Sequence, residues 1–224
     1  MGSPLFRPPV WWVLVIGCIL ALPVAGIAGV GPSPSTAAPI VAPELGNPHA
    51  RVRVVIFEDL ECPDCAHWRK LMNNGIFAEY RHTVRFEFRD YPLSMHPWAY
   101  NAALLARFFA TKSPKLYFAW QNFCFSHQDQ ITATNLLRYA VAMGQAAGIP
   151  SVQVEGAFSD PALFAAIRRD QRQGERWGIK HTPTILVGRN RPGMDRDGSL
   201  DVHGLAEATT PAQLRQMIAD LEQK

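Results

Sequence analysis

Two cysteines two residues apart, in Cys62-Pro63-Asp64-Cys65, have the residue types and spacing for thiol chemistry. They follow Val52-Arg53-Val54-Val55-Ile56-Phe57, a β-branched, apolar run that reads as a buried strand. A helix is expected to open at Pro63, because proline fits the first helical position, where its missing N–H costs nothing. Cys62 then sits at the helix N-terminus. Unpaired N–H groups and the positive end of the dipole favour a thiolate there. Its pKa is expected below the free value of about 8.5. Cys65, one turn in, is less exposed and can attack a mixed disulfide on Cys62 to release the partner. Two other uses of such a pair are a stapling disulfide and half a zinc site. Zinc asks for a second pair of Cys or His at matching spacing. Here Cys18 lies in an apolar segment, Cys124 stands alone, and His67 is two residues past Cys65. Redox chemistry is therefore the expectation, with Cys62 and Cys65 as catalytic residues. No metal or organic cofactor is expected, since the pair is its own redox centre. Cys124, between Phe123 and Phe125, reads as a buried free thiol.

These residues need a frame. After Cys65 a helix is expected to Tyr80, with Trp68, Leu71, Met72 and Ile76 on its apolar side. Val84-Arg85-Phe86-Glu87-Phe88-Arg89 alternates with period two and reads as a second strand, completing a βαβ unit with a parallel pair. From His96 to Trp177 the pattern is helical. Pro97 is expected in the first turn of a helix carrying Tyr100, Leu104 and Phe108. Leu116, Trp120 and Phe123 mark another, and Thr132 or Thr134 can cap a third. Asp160-Pro161 forms an N-cap and N1 pair for a fourth. Strand character returns at Thr184–Val187, with a short partner strand expected at Leu200–His203. Thr210 and Gln213 have capping-box spacing for a last helix. The order is βαβ, helices, then ββα: an α/β fold with an inserted helical block.

The 224 residues are 48% hydrophobic and 18% charged, with a net charge of +3. This excludes a disordered chain and lacks the dense basic patch of a nucleic-acid binder. Between Arg7 and Glu44 there is no Asp, Glu, Lys or Arg. The run from Val10 to Val30 is apolar, and about 20 apolar residues span a bilayer. Trp11 and Trp12 stand where an interfacial belt would be. Residues 1–30 are therefore read as a signal peptide or an N-terminal membrane anchor, with Gly26 and Ala28 as a candidate cleavage site. A lipoprotein signal ending at Cys18 is disfavoured by the apolar residues after it. Residues 31–48 read as a Pro/Ser-rich linker. Residues 49–224 read as the folded domain, with the insertion at about 96–177. Export places that domain where disulfides persist.

The folded part resembles the DsbA-like thiol:disulfide interchange family of the thioredoxin-fold superfamily. The resemblance rests on Phe57-Glu58-Asp59-Leu60-Glu61-Cys62-Pro63-Asp64-Cys65 and on Tyr91-Pro92-Leu93-Ser94-Met95-His96-Pro97. It rests also on the aromatic helix Lys115–Trp120 and on Gly178-Ile179-Lys180-His181-Thr182-Pro183-Thr184. It implies a thioredoxin-like fold (βαβ–ββα) with a helical insertion. It further implies a cis Thr182–Pro183 bond facing the cysteines, with Thr182 and Pro183 positioning substrate and His181 lining the rim. The implied function is disulfide exchange with protein thiols in an extracytoplasmic compartment. A recycling partner in the membrane is expected, with no nucleic acid, and with membrane contact through residues 10–30 if they are retained. The alternatives from other classes are a non-catalytic chaperone or peptide-binding module on the same fold, and metal binding through the Cys pair. Two departures stand out. Many relatives place a buried carboxylate six residues before the first Cys. Here that position is Ile56, and Glu58, on the same strand face, either substitutes for it or faces solvent. Strongly oxidising relatives often carry His in the dipeptide that is Pro63-Asp64 here. Asp59, Glu61 and Asp64 put negative charge near the thiol, and like charge disfavours a thiolate. A Cys62 pKa above that of the strongest oxidases, and a less oxidising pair, are therefore expected. A value of about 4 would contradict this.

Overall fold

The computed structural model of the chain describes Gly2, residues 39–190 and residues 205–223. Residues 1–30 and the strand expected at Leu200–His203 lie outside these, apart from Gly2. The described elements are β1 (Leu45–Gly46), β2 (Val52–Glu58), α1 (Pro63–Leu71), α2 (Phe77–Glu79), β3 (Val84–Asp90), α3 (Ala99–Lys112), α4 (Pro114–Ser126), α5 (Leu136–Ala146), α6 (Ser151–Glu155), α7 (Pro161–Arg176), β4 (Thr184–Arg189), β5 (Ala206–Glu207) and α8 (Pro211–Glu222).

Among the described residues the sheet runs β1-β3-β2-β4-β5. β2 is central and buried along its whole length. It pairs in parallel with β3, Val52 opposite Val84, and antiparallel with β4, Phe57 opposite Thr184. The β2–β3 pairing bears out the expected βαβ unit. Strand alternation sorts the side chains onto two faces. Val52, Val54, Ile56, Phe86, Phe88, Ile185 and Val187 join the main core with Trp120, Leu214 and Ile218. Val55, Phe57 and Leu186 face the other way, against Ile179, Tyr91 and Trp177. Helix α7 comes close on that side because residue 174 is glycine. A Cβ there would lie 2.5 Å from the Tyr91 ring and 3.2 Å from Phe57.

Several expectations need correction. The long helix from Pro63 is broken: Asn74 and Gly75 leave helical geometry, and Gly75 has a φ of 153°. Glycine adopts such a conformation at little steric cost, so α2 is offset from α1. Pro97 lies outside α3, which starts at Ala99 without a cap from its own N-cap residue, Trp98. Neither threonine caps α5, whose N-cap residue is Asn135. Thr132 instead accepts from the Asn135 N–H at 3.3 Å, within the preceding turn. On the side of β4 away from β2, the described partner strand is β5, at Ala206–Glu207. The stretch expected as a linker to residue 48 is already in the fold from its second half. Ala42 is buried, and β1 pairs antiparallel with β3. The caps at Asp160 and Thr210 form as expected, accepting from Ala162 at 2.8 Å and from Gln213 at 3.1 Å.

The helical block is tied to the sheet by buried charge. Arg107 on α3 bonds to Asp90 at the end of β3 and to Asp170 on α7, and all three are buried. Burial pushes Asp90 up to about 6 in spite of Arg107 beside it. Such a triad costs desolvation and holds only while each member keeps its partner.

Candidate active site

Cys62 is the N-cap residue of α1, in extended backbone, with Pro63 in the first turn. Both Cys62 and Cys65 are free thiols and both are buried. Opposite them, the Thr182–Pro183 peptide bond is cis, and Cys62 Sγ donates to the Thr182 carbonyl at 3.2 Å. Cys65 Sγ accepts from the Asp59 N–H at 3.4 Å.

The two thiols are driven apart electrostatically. The hydrogen bond from Cys65 lowers the Cys62 pKa by more than burial raises it. The Thr182 side chain and the N–H groups of Cys65 and Asp64 lower it further, from an ordinary 9.0 to about 6. The Thr182 carbonyl favours the thiol, whereas its hydroxyl, buried and otherwise without a hydrogen-bond partner, favours the thiolate. Burial pushes Cys65 well above the usual thiol range, reinforced by its bond to Cys62 and by the negative charge that Cys62 can carry.

The acidic residues around the pair do not all act as free charges. Glu61 accepts from the N–H groups of Trp98 at 2.7 Å and Ala99 at 2.9 Å, so it supplies from outside the cap that α3 lacks. The Asp59 carboxylate is held by the N–H groups of Glu61 and Leu93, both at 2.8 Å, and by His96 Nδ1 at 2.7 Å. Asp64 alone is exposed. Gln128, beyond the end of α4, donates to the carbonyls of Leu60 and Cys62, both at 2.9 Å. The turn before α1 is thus held by the helical block on both sides.

Glu58 does not face solvent. It is buried on the last residue of β2 and ion-paired with Arg69 of α1 at 2.6 Å. Gln121 of α4 donates to Glu58 at 2.8 Å and accepts from Arg69 at 3.1 Å. The guanidinium also lies over the Phe88 ring at 4.8 Å. Arg69, Gln121 and Gln128 carried no sequence signal, because their partners lie 11 to 68 residues away. Thr182 is buried and Pro183 half-buried, whereas His181, at the edge, is 63% exposed and within 3.4 Å of Glu207. Pro63 is exposed beside Cys62. Among the described residues no cluster of His, Cys, Asp and Glu could hold a metal ion, and no helix is long and apolar enough to cross a membrane.

A family model described as Thioredoxin matches residues 40–219. The chain is 26% identical over 152 residues to a Na(+)/H(+) antiporter NhaA 1 of Mycobacterium sp. (strain KMS). That match covers 65% of this chain and 23% of the antiporter, so the chain spans about a quarter of the length of such relatives. Among solved structures it is similar to the thiol-disulfide exchange protein alpha-DsbA2 of Wolbachia pipientis. There the TM-score is 0.61 at 20% identity, over 80% of this chain and 87% of that one. It is also similar to oxidised BdbD of Bacillus subtilis, with a TM-score of 0.62 at 16% identity, over 84% of this chain and 100% of that one. With the βαβ and ββ order of the sheet, the helical insertion and the cysteine pair at the head of α1, the chain belongs to the thioredoxin family and has a DsbA-like fold.

Proposed function

We propose that this chain is a protein-disulfide oxidoreductase acting on protein thiols and disulfides through Cys62 and Cys65. The observation that carries this is the split between two adjacent thiols. One has a pKa of about 6 and the other is held well above the usual range. At pH 7 the first is mostly thiolate. Thiolate is the attacking form, and a low-pKa thiol is also the better leaving group.

In the reducing direction the Cys62 thiolate attacks a substrate disulfide. A Cys62–substrate bond forms, and one substrate sulfur leaves and takes up a proton. Cys65 then gives up its proton and attacks Cys62 Sγ. The Cys62–Cys65 bond forms and the second substrate sulfur leaves as a thiol. Two electrons pass from the pair to the substrate. The oxidising direction reverses each step. Thr182 and Pro183 position the partner chain, in keeping with the Thr182 carbonyl 3.2 Å from Cys62 Sγ, and His181 lines the rim. The pair needs no further cofactor. The apolar run before residue 31 supports work outside the cytoplasm near a membrane, where a recycling partner would reach it.

The test is oxidation of a reduced, unfolded protein substrate, and reduction of a disulfide substrate, by the wild type and by Cys62→Ser. We expect the variant to lose both activities while keeping its fold. Exchange at the wild-type rate in the variant would refute the function.

A further inference from the structure

A second cleft, of about 860 Å³, shares no lining residue with the site of Cys62, Cys65 and Thr182. Its walls are β3, α7 and the segment that enters the fold at residue 39. Among the described residues, five arginines line it against three carboxylates. Three of those arginines are already matched. Arg85 holds Glu44 at 2.6 Å, Arg89 holds Glu87 at 2.7 Å, and Arg107 holds Asp170 together with Asp90. Arg51 and Arg169 are left in excess.

Arg51 is exposed, and its guanidinium makes no hydrogen bond or ion pair among the described residues. Arg169, half-buried on α7, donates to the Ile40 carbonyl at 2.8 Å and has Asp170 Oδ1 3.7 Å away, beyond hydrogen-bond reach. Its other N–H groups have no hydrogen-bond partner among the described residues. Burial lowers its pKa, and Arg107, Arg89 and Arg172 add to this against Asp170. The same cleft has the opposite need. Glu87 is buried and its Oε1 accepts no hydrogen bond, with Arg85 Nε at 3.4 Å and Arg53 Nη1 at 3.9 Å. Unused donors and an unused buried acceptor therefore line one cavity, and a buried polar atom without a hydrogen bond is costly.

We propose that this cleft binds a phosphate ester carrying a free hydroxyl, with Arg51 and Arg169 on the phosphate and Glu87 Oε1 accepting from the hydroxyl. Guanidinium groups from two different elements call for an acceptor whose oxygens diverge from one centre. A tetrahedral phosphate offers that, and a planar carboxylate does not. The cavity is of the size that holds small organic ligands, larger than a bare phosphate fills. The site stands independently of the exchange function. Two sources share this chemistry: a soluble glycerol or sugar phosphate, and a glycerol-bearing lipid headgroup. The headgroup has a route to the cleft. No more than about 30 Å of extended chain joins the end of the apolar run at Val30 to Pro39 on the cleft wall.

The test is calorimetric titration of the full chain with glycerol phosphate and with methyl phosphate, which lacks the hydroxyls. We expect saturable one-to-one binding of glycerol phosphate, about tenfold tighter than methyl phosphate. Arg51→Gln and Arg169→Gln are each expected to weaken it about tenfold. The Arg51 guanidinium has no partner in the fold, so that variant stays informative even where Arg169→Gln unfolds. No saturable binding, equal affinity for the two esters, or binding unmoved in Arg51→Gln would overturn the proposal. Vesicles are then added as competitors. Displacement of glycerol phosphate by phosphatidylglycerol and not by phosphatidylcholine would uphold the site and name the headgroup as its source. Displacement by neither would uphold it for a soluble ester. Equal displacement by both would remove the role of the hydroxyl and overturn the proposal.

Discussion

Cys62 and Cys124 are both buried and both free, yet their acidities move in opposite directions. Cys124, on α4, is pushed well above the usual thiol range by burial. It sits inside a helix, where the backbone N–H groups are already used. Cys62 is at a helix start, with N–H groups to spare, a second thiol as donor and the Thr182 hydroxyl beside it. Burial alone makes a thiol inert. Donors aimed at the sulfur turn the same burial into activation. The difference lies in what the chain places within a few ångströms of sulfur: Cys65 and the N–H groups of the C-x-x-C segment, and Thr182 from outside it.

This contrast can be broken at several points. The largest effect is expected where α1 and α4 are joined. Arg69→Met leaves Glu58 buried without its ion-pair partner, held by Gln121 alone, and we expect a loss of about 3–5 kcal/mol in urea unfolding. Next, Cys65→Ala removes the leading cause of the low Cys62 pKa. The alkylation midpoint of Cys62 is expected to climb by about 1–2 units, and a midpoint that stays at about 6 would show that the helix N-terminus and Thr182 suffice. Gln128→Ala frees two carbonyls at the turn, for an expected loss of about 1 kcal/mol in the same unfolding measurement. Cys124→Ala should leave the Cys62 titration unchanged within error. A moved midpoint would mean that the two thiols are coupled, and the contrast would lose its meaning.

The pH dependence has a definite sign. The folded pKa of Cys62 lies below its unfolded value, so its ionisation stabilises the folded dithiol fully above pH 9 and not at all below pH 6. The disulfide form lacks this contribution. Urea unfolding of both forms at pH 6 and pH 8.5 should therefore show the dithiol gaining relative to the disulfide as pH rises. A gap that stays constant would argue that Cys62 is not perturbed.

Much of this was legible from short-range pattern. The strand before Cys62, the proline at the helix start and the parallel pairing of β2 with β3 follow from residues close in sequence. So does the cap at Asp160. What pattern could not supply was the fate of individual charges. Asp59 and Glu61 were expected to repel a thiolate. Glu61 instead caps α3 and Asp59 binds His96, both across more than 30 residues. The expectation of a Cys62 pKa above that of the strongest oxidases agrees with a value of about 6. Glu58 offered two equal readings because its partners, Arg69 and Gln121, meet it only once α1 and α4 are packed. The broken helix after Leu71 was hidden by an apolar pattern that continues through the kink to Ile76.

The central claim is that the surroundings of Cys62 lower its pKa while Cys65 and Cys124 stay protonated. It is tested by the pH dependence of alkylation of the fully reduced protein, with each cysteine followed separately by mass. The account predicts a midpoint of about 6 for Cys62, with Cys65 and Cys124 unreactive through pH 8. A Cys62 midpoint at or above the free-thiol value of about 8.5, or Cys124 reacting as fast as Cys62, would contradict it.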